Sequence, residues 1–183
     1  MASIDPQVKN WTRDEYYRMG DAGLFVDQRV ELIDGEILMM SPMKAAHATA
    51  IGLATAAVSA IFGDGYWVRV QLPLVLGDDS EPEPDIAVVA GSPRDYLEHP
   101  TTALLVIEIS DTTLSFDRER KGELYAESGI QEYWIVNLVD GAVEVRRHPS
   151  AGKYQTVETF DPTDSLSPLA TPTDSISVTD LLP

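Results

Sequence analysis

Glu81-Pro82-Glu83-Pro84-Asp85, running directly into Ile86-Ala87-Val88-Val89, is the stretch on which the fold turns. Two prolines hold the acidic run extended, and the apolar residues after it read as a fully buried strand. A second apolar run, Leu104-Leu105-Val106-Ile107-Glu108-Ile109-Ser110, carries one acid inside it. A carboxylate within an apolar strand is costly unless it is paired or holds a cation. Asp85 and Glu108 on neighbouring strands form a candidate site for a hard cation such as Mg²⁺ or Mn²⁺, which prefer oxygen ligands. Such a site can activate water and stabilise a leaving oxygen in phosphodiester hydrolysis.

On the N-terminal side, Trp11 to Met19 reads as a short helix. Thr12 is its cap, Glu15 completes a capping box, and Gly20 and Gly23 end it. Arg29 to Ile33 and Glu36 to Met40 read as a hairpin turning at Asp34-Gly35. Ser41 is placed to cap a long helix from about Met43 to Phe62. Tyr66 to Val70 and Leu72 to Leu76 read as strand segments, with Pro73 pushing the second toward an edge or bend. Gly77 to Glu83 is an acidic loop, and Gly91 to Thr102 is a polar loop with room for one helical turn.

On the C-terminal side, Ser115 to Ser128 reads as a helix closed by Gly129. Glu132 to Leu138 and Ala142 to Arg147 form a second hairpin through Asp140-Gly141, and Lys153 to Phe160 adds a strand. From Asp161 the composition is that of a flexible tail, although Ile176 to Leu182 is apolar enough to dock. This order predicts a single α/β domain over residues 1–183. Its core lies at about 29–160, and its central mixed sheet is flanked by helices.

The chain has 183 residues, enough for a sizeable core, and no cysteine, which excludes disulfides and thiolate chemistry. No basic stretch followed by an apolar one marks the N-terminus as a leader, so a cytoplasmic location is expected. Ala45 to Phe62 is apolar but interrupted by His47, Thr49, Thr55 and Ser59. It reads as a buried helix rather than a membrane span. The net charge of −17 argues against gripping nucleic acid by bulk electrostatics.

Five pieces together resemble a known family: ELIDGEILMMSP at 31–42, His47 in the next helix, EPDIAVV at 83–89, LLVIEIS at 104–110 and KGELYAESGIQEYWIVN at 121–137. They are similar to the Uma-type restriction endonuclease family of bacteria, within the PD-(D/E)XK nuclease superfamily. The resemblance spans roughly Arg29 to Lys153. It implies a restriction endonuclease-like core and a Mg²⁺-dependent phosphodiesterase site. The implied site has an Asp, an acid on the next strand and a Lys two positions later. Asp85 and Glu108 match the acids, with the Ile109 carbonyl as a further implied metal ligand. Ser110 stands where the Lys is expected, and the resemblance points to Lys121 as the substitute.

On their own chemistry, Asp85 is either a metal ligand or an exposed strand-end acid, and Glu108 either a ligand or half of a structural ion pair. Lys121 would support an attacking water, with Asp117, Lys121 and Tyr125 on one helix face. Its bland reading is a solvated cation. Glu31 is either an assisting acid of the same cluster or an exposed strand residue opposite Glu36. His47 reads first as a core or capping histidine, with hydrogen bonding to a carboxylate as its functional reading. Gln71 either points into the cleft or is a satisfied strand group. Tyr125, Tyr133 and Trp134 are assigned to the core. Arg118, Arg120, Lys121 and Arg146-Arg147 form the basic clusters, either a local phosphate-binding rim or solvated faces.

The expectation is therefore a Mg²⁺- or Mn²⁺-dependent endonuclease acting on nucleic acid, with DNA favoured, weak binding expected and no membrane. A homodimer rests on fold-level analogy alone. Two rivals stand beside it: a nuclease fold kept as an inactive binding or scaffold protein, and a phosphodiesterase that acts only with a partner.

Overall fold

A computed structural model describes residues 7–183. The N-terminal stretch read for a leader includes residues 1–6, which lie outside the described residues.

Six strands form the central sheet: β3 (Tyr66–Val70), β4 (Ile86–Ala90), β5 (Leu105–Ser110), β6 (Glu132–Asn137), β7 (Ala142–Ser150) and β8 (Lys153–Phe160). They lie in that order, and every neighbouring pair is antiparallel except β5 and β6. A parallel pair needs a crossover. Here it is α3 (Leu114–Phe116), a π-helical turn (Asp117–Lys121) and α4 (Gly122–Glu127).

Alternation of side chains along each strand divides the core in two. Ile86, Val88, Ile107 and Ile109 face α2 (Ala45–Phe62) and the C-terminal segment. Ala87, Val89, Val106 and Ile135 face α4 and the loop after β3. Glu108 follows the parity of Val106, so it points to the α4 side. All six residues of β5 are buried, the price of placing an acid in a central strand.

The capping box of α1 (Arg13–Asp21) forms as read, with Thr12 and Glu15 bonded reciprocally. Gly23, at φ +82, follows the helix end, whereas Gly20 lies inside it. Arg13 and Tyr17 on α1 bind Glu81 at 2.7 and 2.5 Å, which anchors the start of the acidic run. Leu32 of β1 (Val30–Ile33) forms an isolated bridge to Glu81. The β1 hairpin with β2 (Glu36–Met39) thus lies beside that run.

The structure corrects several readings. Leu72 to Leu76 is not a strand. Gln71 turns the chain at φ +49, and the N–H groups of Leu74, Val75 and Leu76 bond to loop carbonyls of Pro82, Pro100 and Ser80. Ser41 does not cap α2, whose N-cap is Lys44 with no side-chain cap bond. Only one face of α2 is buried, at Ala50, Ile51, Ala54, Val58 and Phe62. By length and mean hydropathy α2 passes for a membrane span, yet that face packs on the sheet. The helix read over Ser115 to Ser128 is broken by the π turn. β7 runs three residues further than read, to Ser150.

The tail is docked. β9 (Ser165–Leu166) pairs with β10 (Ile176–Ser177), and Leu166, Ile176, Val178 and Leu181 are buried against the α2 side of the core.

Candidate active site

Asp85 sits where the extended Pro-rich run becomes β4, and its carboxylate turns toward the end of β5. Oδ2 accepts from the Ile109 N–H at 2.9 Å and from His47 Nε2 at 3.1 Å. Oδ1 accepts from Gln71 Nε2 at 3.2 Å. Burial opposes the charge of Asp85, but the hydrogen bond and charge of His47, then Ile109 and Gln71, outweigh it and lower the pKa. The hydrogen bond to Asp85 in turn raises the pKa of His47.

His47 reaches Asp85 from the first turn of α2. Gln71 reaches it because its backbone holds the left-handed conformation, uncommon outside glycine and often found at functional sites. The same turn lets the Gln71 N–H bond to the carbonyls of Pro84 and Asp85.

Glu108 is 3% exposed. Its Oε1 accepts from Lys121 Nζ at 2.9 Å and from the Tyr125 hydroxyl at 2.7 Å. Its Oε2 accepts from the Asp85 N–H at 3.3 Å. The Glu108 carboxyl is raised to about 8: burial pushes it up most, Lys121 pulls it down, and Asp85, Asp117 and Glu31 add to the rise.

Lys121 ends the π turn, and both Asp117 and Lys121 of that turn are buried. A π turn winds wider than an α turn, and such turns occur frequently at functional sites. Burial opposes the charge of Lys121, but Glu108, Glu31 and Asp117 outweigh it and raise the pKa, so the ammonium stays protonated. Asp117 accepts from Ser110 and Thr113 hydroxyls, both at 2.6 Å. Ser110, at the place where the superfamily pattern expects a Lys, therefore supports the helical turn that carries Lys121.

Glu31 on β1 is buried, 3.5 Å from Lys121 Nζ, and accepts from the Glu83 N–H at 3.3 Å. These groups open on a cleft of about 580 Å³ bounded by the β2–α2 connection, the Pro-rich run and the start of α3.

The donor set is all oxygen: the Asp85 and Glu108 carboxylates and the Ile109 carbonyl. In an extended strand the N–H and C=O of one residue point to the same edge, so the Ile109 carbonyl faces the Asp85 side. Among the described residues, no three His, Cys, Asp or Glu side chains stand together at metal-ligating spacing. The Lys121 ammonium lies against Glu108 Oε1 instead. Two carboxylates and a carbonyl nonetheless fit a hard cation in donor chemistry.

The profile of the Uma2 family, described as "Putative restriction endonuclease", matches residues 13–179. The chain belongs to the Uma2 family. A crystal structure from Anabaena variabilis, described as "a putative nuclease belonging to DUF820", superposes with a TM-score of 0.72 at 20% sequence identity. The match covers 93% of this chain and 96% of that one, and the two share the fold. No curated protein is significantly similar in sequence.

In this Uma2 chain the fold brings together Asp85, Glu108, Lys121, Glu31, His47, Gln71 and Ile109. His47, read first as a core or capping histidine, bonds directly to Asp85. Tyr125, expected in the core, is buried there and also donates to Glu108; its spacing of four from Lys121 is the signal in the sequence. The basic clusters do not form a free phosphate rim. Arg118 binds Glu144 through Nε at 2.8 Å and Nη2 at 2.5 Å. Arg120 binds Asp34, Glu36 and the Ile33 carbonyl. Arg146 binds Glu144 and the Arg118 carbonyl, and Arg147 binds Glu132 and the Ser167 carbonyl.

Proposed function

We propose that this protein hydrolyses phosphodiester bonds of nucleic acid with the help of Mg²⁺ or Mn²⁺. The observation that carries the reading is the approach of Asp85, Glu108 and Lys121 at one end of β5, with Glu108 bonded both to the Asp85 backbone and to Lys121. Asp85, Glu108 and the Ile109 carbonyl would hold the cation, which supplies charge stabilisation and acidifies bound water.

The remaining groups are positioned for the rest of the reaction. Lys121 holds a fixed positive charge beside the reacting phosphate and orients the attacking water. Glu31, 3.5 Å from the Lys121 ammonium, keeps it in place. His47 and Gln71 hold the Asp85 carboxylate in one orientation, as groups behind a ligand commonly do. Tyr125 does the same for Glu108. In the reaction the water oxygen forms a new bond to phosphorus, and the bond from phosphorus to the sugar oxygen breaks. The products are a phosphate monoester and a hydroxyl, the water proton passing to the departing oxygen through solvent.

A second reading keeps the fold but not the activity. It is favoured by the net charge of −17 and by the pairing of the arginines near the cleft. A plasmid-nicking assay in Mg²⁺ or Mn²⁺, run beside Glu108→Ala, separates the two. Nicking by the wild type that needs the ion and disappears in the variant supports hydrolysis. No nicking under any ion, with no cleavage of a labelled single strand either, favours the binding protein.

A further inference from the structure

The groups assigned to the reaction lie inside the molecule: Glu108, Lys121, Glu31 and Asp85 are 3%, 5%, 5% and 7% exposed. A phosphate must therefore come to them through the cleft. At about 580 Å³ that cleft is the size of a pocket that encloses one small ligand. A duplex keeps its bases stacked, so only an unpaired strand presents a base face to the cleft wall without the cost of unstacking.

The cleft wall includes every residue from Leu38 to Lys44, the end of β2 and its connection to α2. Met39, Met40 and Met43 on that segment line the cleft beside the acidic floor, together with Leu38 and with Phe116 from α3. Methionine is flexible and polarisable and adapts to flat rings, and aromatic side chains stack bases without sequence preference.

The rim carries two cations, Arg29 and Lys44. They pair with Glu83 at 3.1 Å and Asp111 at 2.9 Å, with side chains 51% and 63% exposed. Exposed pairs of this kind exchange partners at little cost, so both cations are available to flanking phosphates. A duplex would need a basic stripe outside the cleft, and Arg118, Arg146 and Arg147 are held by the buried carboxylates of Glu144 and Glu132.

We infer that the cleft selects an unpaired polynucleotide strand over duplex, with a base on the methionine wall and its phosphates between Arg29, Lys44 and the buried acids. This rests on the hydrolytic reading for the identity of the site, but it concerns which strand enters.

The test uses the full chain and three fluorescein-labelled DNAs: a single strand, its blunt duplex, and that duplex carrying an unpaired flap. Binding is followed by anisotropy with Glu108→Gln in Mg²⁺ and with wild type in chelator, and cleavage with wild type in Mg²⁺ or Mn²⁺. The single strand and the flap should bind about tenfold more tightly than the blunt duplex, within what one stacked base supplies. Met40→Ala/Met43→Ala should erase most of that preference with an unchanged melting temperature. Leu97→Ala, a fully exposed leucine outside the cleft, is the control and should keep it. Equal binding of duplex and single strand overturns the inference, and if wild type then cuts duplex in metal, the hydrolytic reading survives. Absence of any binding overturns the inference as well. Selective binding lost in the methionine variant but without cleavage supports it, while the hydrolytic reading fails.

Discussion

Lys121 meets Glu108 from the π-helical turn, its Nζ 2.9 Å from Oε1, and both side chains are almost wholly buried. Neither charge has water to fall back on, so each depends on the other. Removing one partner of a buried pair leaves an uncompensated charge, typically about 3–5 kcal/mol.

Lys121→Met should therefore cost about 3 kcal/mol in urea denaturation at alkaline pH. The loss should shrink below about pH 8, where Glu108 takes up a proton instead. Lys121→Met/Glu108→Gln should cost clearly less than the two single losses added, because the orphaned charge is gone. Strict additivity at high pH would mean that the two groups do not interact.

The pH dependence of the metal-free protein follows from Glu108. Its folded pKa of about 8 lies above its ordinary value of 4.5, so the folded state favours the protonated form. The contribution of this group is then fully present below 4.5 and is lost as pH rises toward 8. Denaturation in chelator at a series of pH values should show wild type losing stability across that window relative to Glu108→Gln. A difference independent of pH would remove the assigned shift.

A divalent cation should reverse that loss. Binding to the folded state alone raises stability by mass action, about 2.7 kcal/mol at a hundredfold excess over Kd. Millimolar Mg²⁺ or Mn²⁺ should raise Tm of the wild type at pH 8, and neither should raise it in Asp85→Asn or Glu108→Gln. An unchanged wild-type Tm would tell against the cation site.

Much of this arrangement is legible in the sequence where local rules are strong. The apolar runs around β4 and β5, the Thr12–Glu15 box and the Asp34-Gly35 turn are short-range signals, and each element forms. Val106 and Glu108 share a face by strand alternation alone. The π turn has no such signature, because tertiary demands on Asp117 and Lys121 set it, not helix propensity. Leu72 to Leu76 has strand composition, yet Gln71 reverses the chain and Pro73 withholds a donor, so its backbone bonds go to loops. The arginines near the site were undecided because their partners, such as Glu144 for Arg118, lie far along the chain.

Arg120 gives the last prediction. It joins the π turn to the β1–β2 hairpin through Glu36 at 2.6 Å, Asp34 at 3.1 Å and the Ile33 carbonyl at 3.0 Å. Glu31 on that hairpin lies 3.5 Å from Lys121, so the tie also sets the spacing of the site. The pairs are partly exposed, so Arg120→Ala should cost at most about 1 kcal/mol of stability. It should lower metal-dependent cleavage by letting the hairpin and Glu31 shift. It should leave the salt dependence of nucleic-acid association unchanged, because its guanidinium is already committed within the protein. Lys44→Ala or Arg29→Ala should instead reduce the slope of log K against log salt by about one, the effect of losing one phosphate contact. A flatter salt slope for Arg120→Ala would mean that Arg120 leaves the hairpin to bind phosphate when nucleic acid arrives.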